Sequence, residues 1–529
     1  MKQALFAGLD VSTQSCKLVI INLQKAVIYT DTVNYDKDLP HYNTLNGVIQ
    51  GLGEGVSESD PNMWIEALEV LFQRLKDSEI PHEKIMGISV SGQQHGLVTL
   101  DEEGNLTRPT SKLWNDFSTT EECDLLNEAV GGSENMIKEV GNSQRTGYTA
   151  AKIFHMARHE PEAFAKTSTF FLVHNYINWY LTGGKNGGIR VMEPSDTSGM
   201  ALWHTGTGLW SDKVLDTISP DLKDKLPQIS PSQRTIGTIS KDMVDKYGFS
   251  SKCKIDAGAG DNMYSAIGTG NIASGIVTIS LGTSGTIYNF MDNVFIDPTG
   301  EIAAFRDSTG YYLALLCVSN MANGYNEILN QFDLSHADFN EVIKKTEAGN
   351  EGRILIPWYM GERTPDVPLA APIYFGFGLQ DFNKEILSRA VLEGHVLNLY
   401  DGFRRMPVKP TEIRLTGGLS RSEAWQQVIA DVFNAETVPV EGEGAALGAA
   451  LHAAWVVLRE SGMNRPLREV IHPYIKLREE ERKKPIPENV EKYNTLKEEY
   501  SALSARVRGM ETDEDPFKLR SELLKGASE

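Results

Sequence analysis

Four cysteines in 529 residues (Cys16, Cys123, Cys253 and Cys317), none in a C-x-x-C pair, give no reason to expect a disulfide framework or a thiolate metal site. No apolar run reaches the length that crosses a bilayer, and the N-terminal stretch enters a strand pattern at Ala4 instead of a signal-peptide layout. Basic charge is also short: 51 Lys and Arg stand against 71 Asp and Glu, a formal net charge of -20. So acidic a chain argues against non-specific binding to nucleic acid or anionic membrane. A soluble, cytoplasmic protein is the expectation. A small phosphate ligand remains open, because a local glycine-rich turn and a metal ion can hold phosphates whatever the net charge.

The length exceeds one ordinary core and predicts two to four domains. A hydrophobic content of 41% with 23% charged residues suits a globular chain. The stretch A-G-A-G-D-N-M (Ala257 to Met263) brings small residues to a tight bend with one carboxylate, Asp261, at its end. On its own, an Asp after Gly is a turn residue. It gains weight from two similar turns elsewhere. G-L-D-V-S-T-Q-S-C-K (Gly8 to Lys17) reads as a strand, a polar turn and a returning strand; S-L-G-T-S-G-T (Ser280 to Thr286) repeats that layout. Ser12, Thr13, Gly282 and Thr283 offer hydroxyls and backbone N–H groups to phosphate oxygens, and Asp10 offers a carboxylate to a metal. Lys17 reads equally well as a phosphate contact or a solvent-facing lysine.

Further along, Pro61 to Asp77 has helical spacing through Trp64, Leu68, Leu71 and Leu75, and Ile85 to Ser91 reads as a buried strand ending in S-G-Q-Q-H-G. Polar groups at the C-terminal end of such a strand are where α/β proteins place ligands, so Gln94 and His95 are candidate polyol contacts. L-W-N-D (Leu113 to Asp116) offers an aromatic face, Trp114, and an acid, Asp116, for a sugar; a Trp that merely anchors a loop explains the ring as well. Phe170 to Leu181 reads as a buried helix, and E-P-S-D-T-S-G-M (Glu193 to Met200) as polar loop chemistry of unassigned role. P-W-Y-M-G-E-R-T-P-D (Pro357 to Asp366) is a candidate lid. I-R-L-T-G-G-L-S-R-S-E-A-W (Ile413 to Trp425) reads as strand, Gly-Gly turn and helix; Gly417, Gly418 and Ser422 are the candidate nucleoside contacts. The run E-G-E-G-A-A-L-G-A-A-L-H-A-A (Glu441 to Ala454) is a small-residue helix suited to close packing. Tyr493, Leu496, Tyr500, Leu503 and Val507 mark an amphipathic helix in a charged tail, with Glu511 to Glu529 fitting a partly solvated appendage.

Taken in order, G-L-D-V-S-T-Q, S-G-Q-Q-H-G, L-W-N-D, A-G-A-G-D-N, S-L-G-T-S-G, G-E-R-T-P-D and T-G-G-L-S-R-S-E-A-W resemble the FGGY family of carbohydrate kinases over residues 4 to 508. The Q-H-G element and the Asp-Asn pair point to its xylulose-phosphorylating branch. The chain departs from the family pattern at Ser12, where Gly is usual, at Ser118, where Arg commonly stands, and at Ala151, where Pro is common. The resemblance implies an α/β fold of two actin/Hsp70-like (ribonuclease H-like) domains facing a central cleft. It implies an N-terminal sugar-binding domain over 1–255, an ATP-binding domain over 256–475 and a charged helical tail over 476–529.

It also implies ATP as co-substrate, Mg2+ held at Asp10, and a sugar against Gln94, His95, Asp261 and Asn262, with Trp114 and Asp116 nearby. Asp261 would be the general base, and D-xylulose to D-xylulose 5-phosphate the expected reaction. The alternatives are a kinase for ribulose, gluconate or glycerol, or a non-kinase ATP-binding module of the same fold. The partners implied are a small-molecule sugar and ATP, with a homodimer left open.

Overall fold

A computed structural model describes residues 3–442 and 444–526. The chain forms two compact units that interleave along the sequence. One unit comprises 1–272, 291–313 and 442–475; the other comprises 273–290, 314–441 and 476–529. Among the described residues no helix is long and apolar enough to cross a membrane.

The first unit is built on a seven-stranded mixed sheet. Leu5–Val11, Ser15–Asn22 and Ala26–Asn34 form an antiparallel meander, and Leu5–Val11 also runs parallel to Ile85–Gly92. Lys254–Asp256 and Ala259–Gly260 pair in parallel with the other edge of Ile85–Gly92. Three parallel segments therefore end side by side, with Asp10 opposite Ser91 and Gly260 opposite Gly92.

One face of the sheet is covered by the helix Pro61–Lys76, started by Asp60, whose side chain accepts from the Asn62 N–H. Trp64, Leu68, Leu71 and Leu75 are buried in one cluster with Leu5, Leu9 and Val90. Each such leucine contributes about 2 kcal/mol by leaving water. The expected buried helix over Phe170 to Leu181 is shorter. Phe170 and Phe171 belong to the strand Thr169–Phe171, paired with Val98–Leu100, and the helix is Val173–Thr182. Two aromatics fill a strand's two faces as readily as a helix.

The helix Gly444–Glu460 packs in this first unit, and its composition shows why. A Cβ on Gly8 would fall 2.0 Å from the Ala446 carbonyl oxygen. One on Gly448 would fall 1.8 Å from the Tyr264 oxygen, and one on Gly268 would lie 2.2 Å from the Gly444 oxygen. Backbone meets backbone at each crossing, which only glycine allows.

The second unit orders its strands Tyr312–Val318, Gly285–Met291, Ile276–Leu281, Glu412–Thr416, Glu436–Glu441 and Lys476–Leu477. Ile276–Leu281 and Gly285–Met291 form a hairpin, and Ile276–Leu281 runs parallel to Glu412–Thr416. The tail helix Pro487–Val507 buries Tyr493, Leu496, Tyr500 and Leu503, while Val507 is exposed. Tyr493 donates to Glu393 Oε1 at 2.7 Å and Tyr500 to Asn398 Oδ1 at 3.0 Å. The segment expected as a solvated appendage contains a further helix, Pro516–Gly526. It rests on the unit through Phe517 against Phe375 and through Arg520 donating to the Gly376 carbonyl. The last three residues of the tail lie outside the described residues. Glu362, in the stretch read as a candidate lid, is buried and accepts from Asn320 and Asn398, so its side chain is anchored in the fold.

Candidate active site

The parallel strand ends of the first unit gather its acids. Asp10 is the penultimate residue of Leu5–Val11, faces Lys17 across the hairpin and accepts from Ser91 Oγ at 2.7 Å. Burial raises the Asp10 carboxyl to about 6, and the Ser91 hydroxyl and Lys17 oppose that rise. Asp261 is the first residue of the helix Asp261–Gly268, capped by Gly260. A helix N-terminus favours a carboxylate. Burial, with Asp10 and then Asp196 as like charges, outweighs that and pushes Asp261 up to about 8. Its Oδ1 accepts from the Asn262 N–H at 2.8 Å and from Asn262 Nδ2 at 3.0 Å.

The Q-H-G loop is locked to this acid. Asn262 Nδ2 also donates to Gln94 Oε1 at 2.7 Å, and a Cβ on Gly260 would meet Gln94 Cγ at 2.7 Å. His95 is 8% exposed at φ 65°. Gln93, which the motif reading passed over, accepts from Thr13 Oγ1 at 3.1 Å. Thr13 Oγ1 in turn accepts from Trp114 Nε1 at 3.0 Å, and Trp114 as a residue is 38% exposed. Ser12 closes its own turn, giving both its N–H and its hydroxyl to the Ser15 carbonyl.

Asp116 is wholly buried. It accepts from the Ser57 N–H, from Ser118 and from Lys112 Nζ, so its oxygens hold a loop together. Sequence reasoning missed Asp196, also wholly buried, which accepts from Gln94 Nε2 at 3.5 Å and from the His95 N–H at 3.3 Å. The signal was the E-P-S-D-T-S-G-M run, noticed but given no partner, because its partners lie about a hundred residues upstream.

Described by itself, the second unit brings two glycine turns together. Ser280 and Thr416 are register partners at the C-terminal ends of parallel strands. Gly417 has φ 85°, and a Cβ there would fall 2.5 Å from the Leu281 oxygen. Gly418 faces open space, and Thr283 and Ser284 are exposed. The Gly282 and Thr283 carbonyls accept from Ala322 and Met321 N–H groups, which fixes the turn. Ser422 is buried, spends its hydroxyl on Asn340 Oδ1 at 2.7 Å and starts the helix Glu423–Phe433.

Among the described residues, no three His, Cys, Asp or Glu side chains gather as a metal cage. A cation that takes one or two carboxylates and fills its shell with water and phosphate oxygens fits what is present. Asp10 and Asp261 are both raised, and Asp10 is one cause of the rise at Asp261. A divalent cation beside them would relieve that repulsion.

Known proteins give the same outline. A model described as the FGGY family of carbohydrate kinases, N-terminal domain, matches residues 5–268, and its C-terminal counterpart matches 277–457. A xylulose kinase of Haemophilus influenzae is 34% identical over 465 residues, covering 85% of this chain and 90% of that protein. A xylulose kinase of Bacillus subtilis is 30% identical over 482 residues, covering 89% and 91%. Among solved structures, a ligand-bound xylulose kinase of Lactobacillus acidophilus superposes with a TM-score of 0.84 at 25% identity, covering 96% of this chain and 98% of that one.

Proposed function

This chain belongs to the FGGY family of carbohydrate kinases, and on that premise we propose that it transfers the γ-phosphoryl group of ATP to D-xylulose, giving D-xylulose 5-phosphate. The choice of sugar rests on relatives named xylulose kinase at 30% to 34% identity over most of the chain. These relatives favour a sugar kinase over a non-catalytic ATP-binding module. The observation that carries the mechanism is Asp261, an acid raised to about 8 at the head of its helix and tied to Gln94 through Asn262.

In this reading Asp261 accepts the proton of the terminal hydroxyl as the alcohol oxygen bonds to the γ-phosphorus and the bond to the bridging oxygen of ADP breaks. A base whose pKa sits near working pH takes that proton most effectively. Asn262 holds Asp261 Oδ1, so the other oxygen is the one proposed to face the alcohol. Gln94 and His95 bind and orient the sugar, and the exposed Trp114 offers its ring to C–H groups. Asp116, enclosed as it is, supports this loop from behind.

In the first unit the Ser12–Thr13 turn and Lys17 are the proposed phosphate contacts, and Asp10 would hold Mg2+. That ion, when bound, supplies charge compensation to the phosphate oxygens. In the second unit the exposed surface of Gly282, Thr283, Gly417 and Gly418 is proposed to receive ATP, with Ser422 setting the helix behind it.

The test is ADP release by the purified chain with Mg2+-ATP across a panel of ketoses, polyols and sugar acids. Strong stimulation by D-xylulose is the expected result. Stimulation by a different sugar would retain the mechanism and reject the substrate.

A further inference from the structure

The Glu193–Met200 run reaches the proposed base only through the charge of Asp196, which helps to raise Asp261, yet it is built around one residue of the sugar loop. His95 holds a left-handed backbone conformation, φ 65°, which a non-glycine residue keeps only when its surroundings over-determine it. Asp196 accepts from the His95 N–H at 3.3 Å, and its Oδ1 lies 3.4 Å from His95 Nδ1. On the other side, Lys152 Nζ donates to the His95 carbonyl at 2.6 Å and Thr149 Oγ1 donates to it at 3.2 Å.

The imidazole is confined as well. A Cβ on Gly199 would fall 2.4 Å from His95 Cε1, and the rings of Tyr148 and Phe305 lie 4.7 and 6.0 Å away. Asp196 is itself pinned: Glu193 Oε1 accepts its N–H at 3.0 Å, and Ser195 and Ser232 donate to the same Glu193 carboxylate. Lys152 and Asp196 are wholly buried, so this clamp costs desolvation that a mere loop closure would not need.

His95 Nδ1 makes no hydrogen bond, but a carboxylate oxygen 3.4 Å away favours the tautomer with the proton on that atom, which leaves the lone pair on Nε2. We infer that Asp196, with Lys152 behind it, is a positioning residue that presents His95 Nε2 as a hydrogen-bond acceptor to a hydroxyl of a neutral sugar. The Glu193–Met200 run, a short helix over Pro194–Thr197 started by Glu193, then determines sugar specificity without touching the sugar. This inference rests on the proposal that His95 binds the sugar.

The experiment measures steady-state rates for the wild type, Asp196→Asn, Gly199→Ala, His95→Asn and the His95→Asn/Asp196→Asn double variant, with D-xylulose and ATP varied separately. Asp196→Asn is expected to raise the sugar KM at least tenfold and leave the ATP KM within twofold. Gly199→Ala changes no charge but crowds the imidazole, and is expected to show the same split; it keeps the test decisive should Asp196→Asn fail to fold. The double variant is expected to be no worse than His95→Asn, because two residues acting through one hydrogen bond are not additive. Losses that multiply, or variants that depress kcat and both KM values alike, would overturn the inference while leaving the kinase reading intact. A wild type with no sugar-stimulated turnover would overturn the kinase reading and this inference with it.

Discussion

The hairpin Leu5–Val11/Ser15–Asn22 and the hairpin Ile276–Leu281/Gly285–Met291 each lie beside a parallel strand, Ile85–Gly92 in one unit and Glu412–Thr416 in the other. They differ in what stands where the strand ends. The first carries Asp10, with Ser91 donating to it from the neighbouring strand. The second carries Leu281 and Gly282, and its neighbour contributes Gly417 so close that the two backbones touch. One plan thus yields an acidic corner in one unit and a pair of close-set glycine turns in the other. Acids suit proton and metal chemistry; exposed glycine turns let a phosphate or a flat base come close to the backbone. Mutations in the two corners should therefore fail in different ways.

The largest effect is expected at the acid that only the first unit possesses. Asp261→Asn should lower kcat by roughly 10²–10⁴-fold, the range of a lost general base, while titrations still show ATP binding. Near-normal turnover would remove Asp261 from the mechanism. Asp10→Asn comes next: weaker Mg2+ activation by roughly 10–100-fold, in line with the loss of a group that orients or holds a metal. Activity against Mg2+ concentration reads it, and an unchanged Mg2+ dependence would take the metal away from Asp10.

The second unit should respond through nucleotide binding. Gly417→Ala must place a Cβ 2.5 Å from the Leu281 oxygen, at a φ that disfavours it. The expected result is an ATP KM raised about tenfold, a shift of about 1.4 kcal/mol, with the sugar KM unchanged. A sugar KM that moved as far as the ATP KM would erase the division between the two corners.

The sequence allowed the two corners to be read because each is local: strand, turn and returning strand occupy about fifteen contiguous residues. The helix Pro61–Lys76 and the tail helix were legible for the same reason, their apolar residues repeating every three or four positions. What sequence could not supply was partnership at a distance. Asp196 looked like one polar residue in a loop until the fold set it against Gln94 and His95. Asp116 looked like a sugar ligand, and nothing near it in sequence announced that Ser57, fifty-nine residues away, would cap it. The helix Gly444–Glu460 announced close packing by its glycines, but not that it packs on Gly8 and Tyr264. Small residues state how near a neighbour comes and leave open which neighbour it is.

The smallest effect concerns stability, and it sharpens the comparison without measuring catalysis. Asp261 is raised from an ordinary 3.8 to about 8, and Asp10 from 3.8 to about 6. A raised carboxyl contributes stability in full below its unfolded pKa, and that contribution drains away as pH rises through the folded value. In metal-free buffer, Asp261→Asn should therefore melt at nearly the wild-type temperature near pH 4. It should pull ahead by a few degrees as pH climbs to 8, because asparagine has no proton to lose. Asp10→Asn should open a smaller gap that levels off near pH 6. Gly417→Ala, which changes no titratable group, should shift the melting temperature by the same amount at every pH. Thermal scans of the three variants from pH 4 to 9 separate these curves. A pH-independent gap for Asp261→Asn would mean that Asp261 ionises freely in the folded chain and that the first corner is less acid-crowded than its geometry implies.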